Sequence, residues 1–370
     1  MPTAAALSGD GRMMRAPQAL VDSGALKSNL AAVRRQAPGA RVMAVVKANA
    51  YGHGLVGVGR ALADADAFAV ARIEEAVALR EAGLGNRIVL LEGVFEPGQL
   101  PLASSLGLDV VIHSREQLEM LEAAALPRAV DTWLKIDTGM NRLGIRPEDV
   151  AEITQRLAGS PGVTGPPRLM THLACADERD AGTTDRQLQR FTAAVSGQPG
   201  ERSMANSAGL LWRPDSHADW VRPGIMLYGV SPFAGETGAG LGLRPAMQLL
   251  SRVIAVRHVR RGERVGYGGT WTAEADSRVA IAAIGYGDGY PRSLPSGTPV
   301  MVRDRRAPLA GRVSMDMIAV DVTGLPEVSI GDAVVLWGAR LPVEELASLA
   351  GTIPYELLCG VTQRVGVTNV

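Results

Sequence analysis

The run Val42-Met43-Ala44-Val45-Val46-Lys47-Ala48-Asn49-Ala50-Tyr51-Gly52-His53-Gly54 decides how the chain is read. Its first five residues are apolar without alternation, the pattern of a short parallel strand covered on both faces. A lysine follows directly, then a tyrosine and a glycine-rich turn. Barrels of parallel strands collect their chemistry at the C-terminal strand ends, which is where Lys47 falls. A lysine emerging there is partly desolvated, a state that favours an imine with an aldehyde. The plainer reading, a stem packed on the rim with its head in water, stays open on spacing alone. Gly52-His53-Gly54-Leu55-Val56-Gly57 also matches G-x-G-x-x-G, with Glu74 and Glu75 suitably downstream for a ribose contact. That fingerprint needs its first glycine at the strand end, and Lys47 to Tyr51 intervene, so no dinucleotide site is expected.

Working outward, similar runs recur at 68–71, 88–91, 110–112, 133–136, 169–171, 203–205 and 220–221. Helical patterns lie between them. Leu26, Leu30 and Val33 share a face behind Ser23 as a cap, and Leu118 and Leu121 follow Ser114, with Gln117 placed for a capping box. Eight such units predict an α/β fold with an N-terminal (β/α)₈ TIM-like barrel, a doubly wound open sheet being the alternative on pattern alone. After Arg244 the pattern becomes hairpins: 252–259 turning at Arg261-Gly262 into 264–267, then 278–284, 299–303, 317–322 and 332–337. The expected domains are residues 14–240, a cofactor-binding barrel, and 241–370, a C-terminal mostly-β domain to which residues 1–13 are a candidate added segment. Gly235–Gly242 is the expected linker.

Composition narrows the function. Lys+Arg and Asp+Glu both number 38 in 370 residues, so the chain has no net charge to attract nucleic acid or an anionic membrane. Its longest apolar runs are strand-sized, too short to span a bilayer. Cys175 and Cys359 lie far apart without metal or redox spacing, so neither a disulfide framework nor a metal site is expected. Residues 1–18 lack the apolar core of an export signal, which makes the expected location cytoplasmic.

The stretch Lys47-Ala48-Asn49-Ala50-Tyr51-Gly52-His53-Gly54 resembles the cofactor-lysine motif of the alanine racemase family, fold-type III pyridoxal-phosphate enzymes. The resemblance continues in family order at Lys135-Ile136-Asp137-Thr138-Gly139-Met140-Asn141-Arg142-Leu143-Gly144, Thr171-His172-Leu173-Ala174, Asn206-Ser207-Ala208-Gly209 and Arg222-Pro223-Gly224-Ile225. In the second half it recurs at Gly266-Tyr267-Gly268, Gly285-Tyr286-Gly287-Asp288-Gly289-Tyr290, Gly311-Arg312-Val313-Ser314-Met315-Asp316 and Pro354-Tyr355-Glu356. It covers roughly residues 20 to 360 and favours the barrel over the open sheet.

The resemblance implies interconversion of L- and D-alanine on pyridoxal 5'-phosphate, supplying D-alanine for peptidoglycan. Lys47 would hold the cofactor and handle the α-proton of the D form, and Tyr267 that of the L form. A phenol near pKa about 10 is a poor base alone, so Tyr267 would need help, with His172 and Arg222 as candidates. Tyr51, His172, Asn206, Ser207, Arg222, Gly224, Ile225 and Tyr355 would bind the cofactor, Arg222 facing its ring nitrogen and His172 stacking on the ring or bonding to Arg222. Arg142 and the backbone of Met315 would hold the substrate carboxylate. Lys135 matches a lysine that some members carry as a carbamate, an unmodified lysine paired with Asp137 being the alternative. Asp177, Tyr286, Tyr290 and Arg312 would line a narrow access channel. The family also implies a head-to-tail homodimer in which Tyr267 reaches the partner's barrel.

Departures are few. Ser203 stands where some members have histidine, which bears on how Arg222 is held, and Ser314 where others have cysteine. Residues 361–370 lack the more basic or aromatic ending of the family, which leaves oligomer contacts there open. A broader-specificity racemase is the first rival, and a decarboxylase of basic amino acids the second. The decarboxylases carry a cysteine-bearing loop where this chain has Gly266-Tyr267-Gly268. Non-catalytic cofactor-binding relatives resemble the barrel alone.

Overall fold

Val42, Met43, Ala44, Val45 and Val46 are all buried, as a strand walled by helices and neighbouring strands must be. The computed structural model describes residues 17–370 apart from Asp180 and Pro326. The expected added segment, 1–13, lies outside the described residues. The first strand is β1 (Gln18–Val21). It is followed by β2 (Arg41–Val45), β3 (Ala67–Val70), β4 (Arg87–Leu90), β5 (Leu108–Ile112), β6 (Thr132–Lys135), β7 (Arg168–Met170), β8 (Arg202–Ser203) and β9 (Trp220–Val221). Strands β2 to β9 pair in parallel in chain order, and β9 returns to β2, closing an eight-stranded barrel.

The barrel's two ends differ in chemistry. At the N-terminal strand ends, Arg87 pairs with Asp109 at 2.6 Å, and Arg168 with Asp131 at 3.1 Å and Glu201 at 2.9 Å. Trp133 Nε1 donates to Asp109 and Trp220 Nε1 to Glu201. These paired charges and indole donors close that end. The cavity lies at the other.

The second region supplies β10 (Met247–Val259), β11 (Arg264–Val265), β12 (Trp271–Thr272), β13 (Ser277–Ala282), β14 (Pro299–Val302), β15 (Arg305–Pro308), β16 (Ile318–Asp321), β17 (Ala333–Trp337) and β18 (Gly366–Asn369). β11 and β12 pair only with each other, and the rest form with β1 a sheet of order β15-β14-β17-β10-β1-β18, with β13 on β10 and β16 on β13. The chain's first described strand therefore belongs to this sheet, where it is antiparallel to β10 and parallel to β18. Asn29 fastens the barrel's first helix beside it. Its Nδ2 donates to the carbonyls of Leu227 and Arg244, and its Oδ1 accepts from Arg244 N–H. Two helices, Val343–Ala350 and Pro354–Cys359, close the region.

Three local expectations need correction. Asp22, not Ser23, caps helix Ser23–Gln36. It holds the extended backbone of a cap, and its Oδ1 accepts from Ala25 N–H at 2.9 Å. Ser114 does cap its helix, but Gln117 does not close the box. Its side chain accepts from His113 N–H and donates to the carbonyls of Glu92 and Val94, which have no strand partner of their own there. Residues 264–265 pair with Trp271–Thr272 instead of folding back on β10, because β10 is already paired with β13 through His258 and Val259.

Candidate active site

Lys47 comes directly after Val46, where β2 leaves the barrel, and the next four residues take an uncommon path. Ala48, Asn49, Ala50 and Tyr51 all have φ between 52° and 54°, one turn of left-handed helix built without glycine. Each such L-residue costs roughly 1–2 kcal/mol, so the surroundings must hold it in place. They do so with hydrogen bonds at every step. Ala48 N–H donates to Glu75, Gly52 N–H to Ala48 O, His53 N–H to Ala50 O and Gly54 N–H to Asn49 O. Asn49 Oδ1 accepts from Leu55 N–H at 2.9 Å. Gly52 ends the turn at φ 77°, and a Cβ there would lie 2.0 Å from Leu358 O, so only glycine lets this turn dock on helix Pro354–Cys359.

The turn brings Lys47, half-buried, and Tyr51, buried, onto one cavity of about 570 Å³. Of the residues expected in the site, Lys135, Arg142, His172, Asn206, Ser207, Arg222, Gly224, Ile225 and Tyr355 line the same cavity. Four cations, Lys47, Lys135, Arg142 and Arg222, face it with one carboxylate, Glu92. Such a surplus of fixed positive charge suits a ligand carrying phosphate and carboxylate.

Arg222 is held without an anionic partner. Its guanidinium donates to Ser203 Oγ at 2.7 Å, to Met204 O at 3.3 Å and to Thr171 O. His172, expected either to stack on the cofactor ring or to bond to Arg222, lines the same cavity. Burial lowers Arg222 to about 10, which leaves it charged at neutral pH. Burial, reinforced by Arg222, holds His172 well below the usual imidazole range and therefore neutral. Ser203 is thus the side chain that sets Arg222, and its hydroxyl in turn donates to Trp220 O at 2.8 Å. Ser203→Ala strands a buried charged donor, so about 2 kcal/mol of stability should be lost in urea unfolding.

Lys135 ends β6 under the same cations. Burial first, then Arg222, Arg142 and Lys47, bring it down to about 8. Asp137 does not neutralise it, because its Oδ1 accepts from the N–H groups of Gly139 and Asn141. The folded chain thus sheds this proton near pH 8, whereas an unfolded lysine keeps it to about 10.4. The unfolded state binds more protons in that window, so stability rises with pH from about 8 to 10. Compared with Lys135→Met in bicarbonate-free buffer, the wild-type chain should gain about 2 kcal/mol across it, read by denaturant titration.

The remaining contacts define the cavity's far end. Ser207 Oγ accepts from the N–H groups of Gly224 (2.9 Å) and Met226 (3.4 Å), while Asn206, not Ser207, caps helix Ser207–Trp212. A Cβ on Gly224 would lie 2.5 Å from Tyr51 Oη, so the missing side chain is what admits the phenol. The rings of Tyr51 and Tyr355 lie 5.9 Å apart, and burial raises both hydroxyls above the ordinary phenol range. Tyr228 Oη donates to Val45 O, steadying the strand end just ahead of Lys47.

Another group of expected residues does not line this cavity. Tyr267 is 67% exposed, on a turn beside Arg312. Met315 and Tyr286 are also exposed, and their segments are linked by Tyr286 N–H to Ser314 O and Gly287 N–H to Met315 O. Tyr290 is fully buried and stacks on Trp337. Asp177 is exposed, close enough to Tyr355 to act on its hydroxyl. Glu92 and Cys359 are the charged and thiol side chains among the lining residues outside the expected set. Glu92 stands two residues beyond the end of β4, so the strand-end rule that marks Lys47 marks it as well. Cys359 lies four residues beyond Tyr355 on one helix, and that spacing puts both on one face.

Comparison with known proteins identifies the architecture. Residues 21–232 match the family model described as "Alanine racemase, N-terminal domain", and residues 246–368 match "Alanine racemase, C-terminal domain". A protein of Shewanella baltica named alanine racemase is 52% identical over 351 residues, 95% of this chain and 98% of its own length. One of Shewanella woodyi with the same name is 54% identical over equal coverage. Among solved structures, the biosynthetic alanine racemase of Pseudomonas aeruginosa superposes with TM-score 0.93 at 50% identity, over 96% of this chain and 100% of that one. The Acinetobacter baumannii alanine racemase gives 0.91 at 40% identity, over the same shares of the two chains.

Proposed function

The chain belongs to the alanine racemase family and is a pyridoxal-phosphate-dependent racemase of alanine, and on that premise we propose that Lys47 and Tyr267 are its two opposed proton carriers. The observation that carries the reading is the convergence of Lys47, Tyr51, Ser207, Arg222 and Gly224 on one cation-rich cavity. The donor set fits the cofactor: a lysine for its aldehyde, an always-charged guanidinium for its ring, and Tyr51, Asn206, Ser207, Gly224, Ile225 and Tyr355 for its phosphate end. The space left by Gly224, which a Cβ would fill, supports the same fit. When bound, the cofactor delocalises the electron pair left behind by the departing α-proton.

The chain's own groups do the rest. Lys47 Nζ takes or returns the α-proton on the D face, and Tyr267 Oη does so on the L face. One proton leaves as another arrives opposite, which inverts the carbon without net gain or loss. Arg142 and the backbone of Met315 hold the substrate carboxylate. Arg222 donates and cannot accept, so it offers the ring nitrogen no site to share a proton and restrains side reactions. His172 stays neutral beside it. Asp177, Tyr286 and Arg312 border the approach, keeping substrates small, while Tyr290, expected beside them, is buried against Trp337.

Tyr267 is exposed and away from its own chain's cavity, which supports a composite site built by two copies in a homodimer. Mixing two inactive variants tests this. Chains carrying Lys47→Ala and chains carrying Tyr267→Phe, unfolded and refolded together, should regain about a quarter of wild-type activity. Half the dimers would be mixed, each with one intact site. No recovery in mixed dimers would exclude the composite site.

Lys135 is the proposed carbamylation site. Its lowered basicity leaves a neutral amine to add carbon dioxide, releasing one proton, and the resulting anion would lie among Arg142, Arg222 and Lys47. A carbamate resonance from ¹³C-bicarbonate, present in wild type and absent in Lys135→Met, would establish it. Resemblance to a biosynthetic relative supports a role in supplying D-alanine for peptidoglycan. Among the described residues no helix is long and apolar enough to cross a membrane, and the proposed location is the cytoplasm.

A further inference from the structure

His53 is a fully buried titratable residue, and the proton transfers above give it no task. Its Nδ1 lies 2.8 Å from Tyr51 O and 3.1 Å from Ala50 O. Carbonyls only accept, so Nδ1 carries the proton and donates to them, leaving Nε2 with a lone pair. Burial brings the ring down to about 4, so this one neutral form persists at physiological pH.

Nε2 is buried without a hydrogen-bond partner, and so is Trp337 Nε1, a group that can only donate. His53 and Trp337 line one small cavity of about 10 Å³ between the barrel and the second region, with Tyr228, Val343 and Leu358 among its walls. That volume is at the threshold for one water, which needs two or more polar partners. A buried acceptor and a buried donor bordering the same space supply two. The rings of Tyr51 and His53 lie 4.8 and 4.5 Å from that of Tyr228, so the imidazole and the turn's phenol pack against one shared ring.

We infer that His53 is a positioning residue. It clamps the Ala50 and Tyr51 carbonyls of the left-handed turn through Nδ1–H, and it is braced through one buried water on Nε2 against Trp337 of the second sheet. The brace joins β17 to the turn that presents Lys47 and Tyr51, so the second region helps set the cofactor site of its own chain. The inference rests on the proposed roles of Lys47 and Tyr51 in holding pyridoxal phosphate.

The test uses full-length protein reconstituted with pyridoxal phosphate, comparing wild type, His53→Leu, His53→Asn and Trp337→Phe. The cofactor dissociation constant is read from the visible absorbance of the lysine-linked form, and fold integrity from circular dichroism. Leucine fills the space but donates nothing, so the constant should rise about tenfold. Asparagine Nδ2 overlays the imidazole Nδ1 and should restore most of the affinity. A residue that only fills space would rank the two variants the other way, because leucine is the better filler. Trp337→Phe keeps a six-membered aromatic ring and removes the pyrrole ring with its donor, and should raise the constant about threefold. A high-resolution crystal structure of the wild type should show a density peak within hydrogen-bond distance of both His53 Nε2 and Trp337 Nε1.

Wild-type affinity in His53→Leu, or weaker binding in His53→Asn than in His53→Leu, overturns the clamp. Absence of the peak overturns the brace. Should His53→Leu fail to fold, Trp337→Phe and the crystal density decide. A wild-type chain without the visible band would instead overturn the cofactor-site reading, and the density is read from the same crystals regardless.

Discussion

Lys47→Ala is expected to lower alanine racemisation by about 10⁴-fold or more, because one side chain is asked to do two jobs. Its amine anchors the cofactor, and it carries the proton on one face of the substrate carbon. The variant should show no visible band of lysine-linked cofactor, and pyridoxal phosphate should wash out on dialysis. The fold should survive. Lys47 is half-buried on a cavity wall with three other cations, and removing one relieves repulsion without opening the core. Thermal unfolding should therefore stay close to wild type, which separates lost chemistry from lost structure. Small primary amines entering the vacated space should restore part of the proton transfer. A variant that kept more than about a hundredth of wild-type activity would remove Lys47 from the mechanism.

Tyr267→Phe deletes one oxygen, and the expected result is lopsided. Racemisation should fall by about 10³-fold, within the range of losses for a positioned acid–base group. Exchange of the α-proton of L-alanine with solvent should stop. Exchange from D-alanine should continue, because Lys47 can remove and return that proton on its own face. Stability should change by less than about 1 kcal/mol, since the ring stays and only one hydroxyl is lost. Following α-deuterium by NMR from each enantiomer separately checks both halves. Unaltered exchange from L-alanine would rule out Tyr267 as the second base.

Much of the barrel is legible because its strands are buried on both faces. Runs such as Val42–Val46 and 110–112 carry no polar residue to blur the period. The β8 and β9 strands, of two residues each, are legible chiefly through the motifs just beyond their ends, Asn206-Ser207 and Arg222 to Ile225. The second sheet is harder to read. β1 and β18 are partners, but some 345 residues of chain separate them, and pairing at that distance leaves no local pattern. The hairpin expected at 252–267 fails for a related reason. Local turn chemistry marks Arg261-Gly262 as a bend, but long-range pairing with β13 decides where β10 finds its neighbour.

At the site, residue types are readable in the sequence and geometry is not. Nothing in Ala48-Asn49-Ala50-Tyr51 announces a left-handed turn, since three of the four disfavour positive φ. Glu75, Leu358 and His53 impose it from outside. The role of Ser203 is visible only as a departure from a pattern. Its hydroxyl at 2.7 Å from Arg222 explains how the guanidinium is held without histidine at that position. Tyr267 is named by its motif, but a single chain's sequence cannot say which cavity it serves.

Racemisation by this chain takes a proton from one face of the alanine α-carbon and delivers a different one to the opposite face. The most direct measurement incubates the protein and pyridoxal phosphate with pure L-alanine in deuterated water, following optical rotation and α-deuterium together. Rotation should decay to zero while deuterium enters the α-carbon. Retained rotation with no deuterium uptake would contradict it.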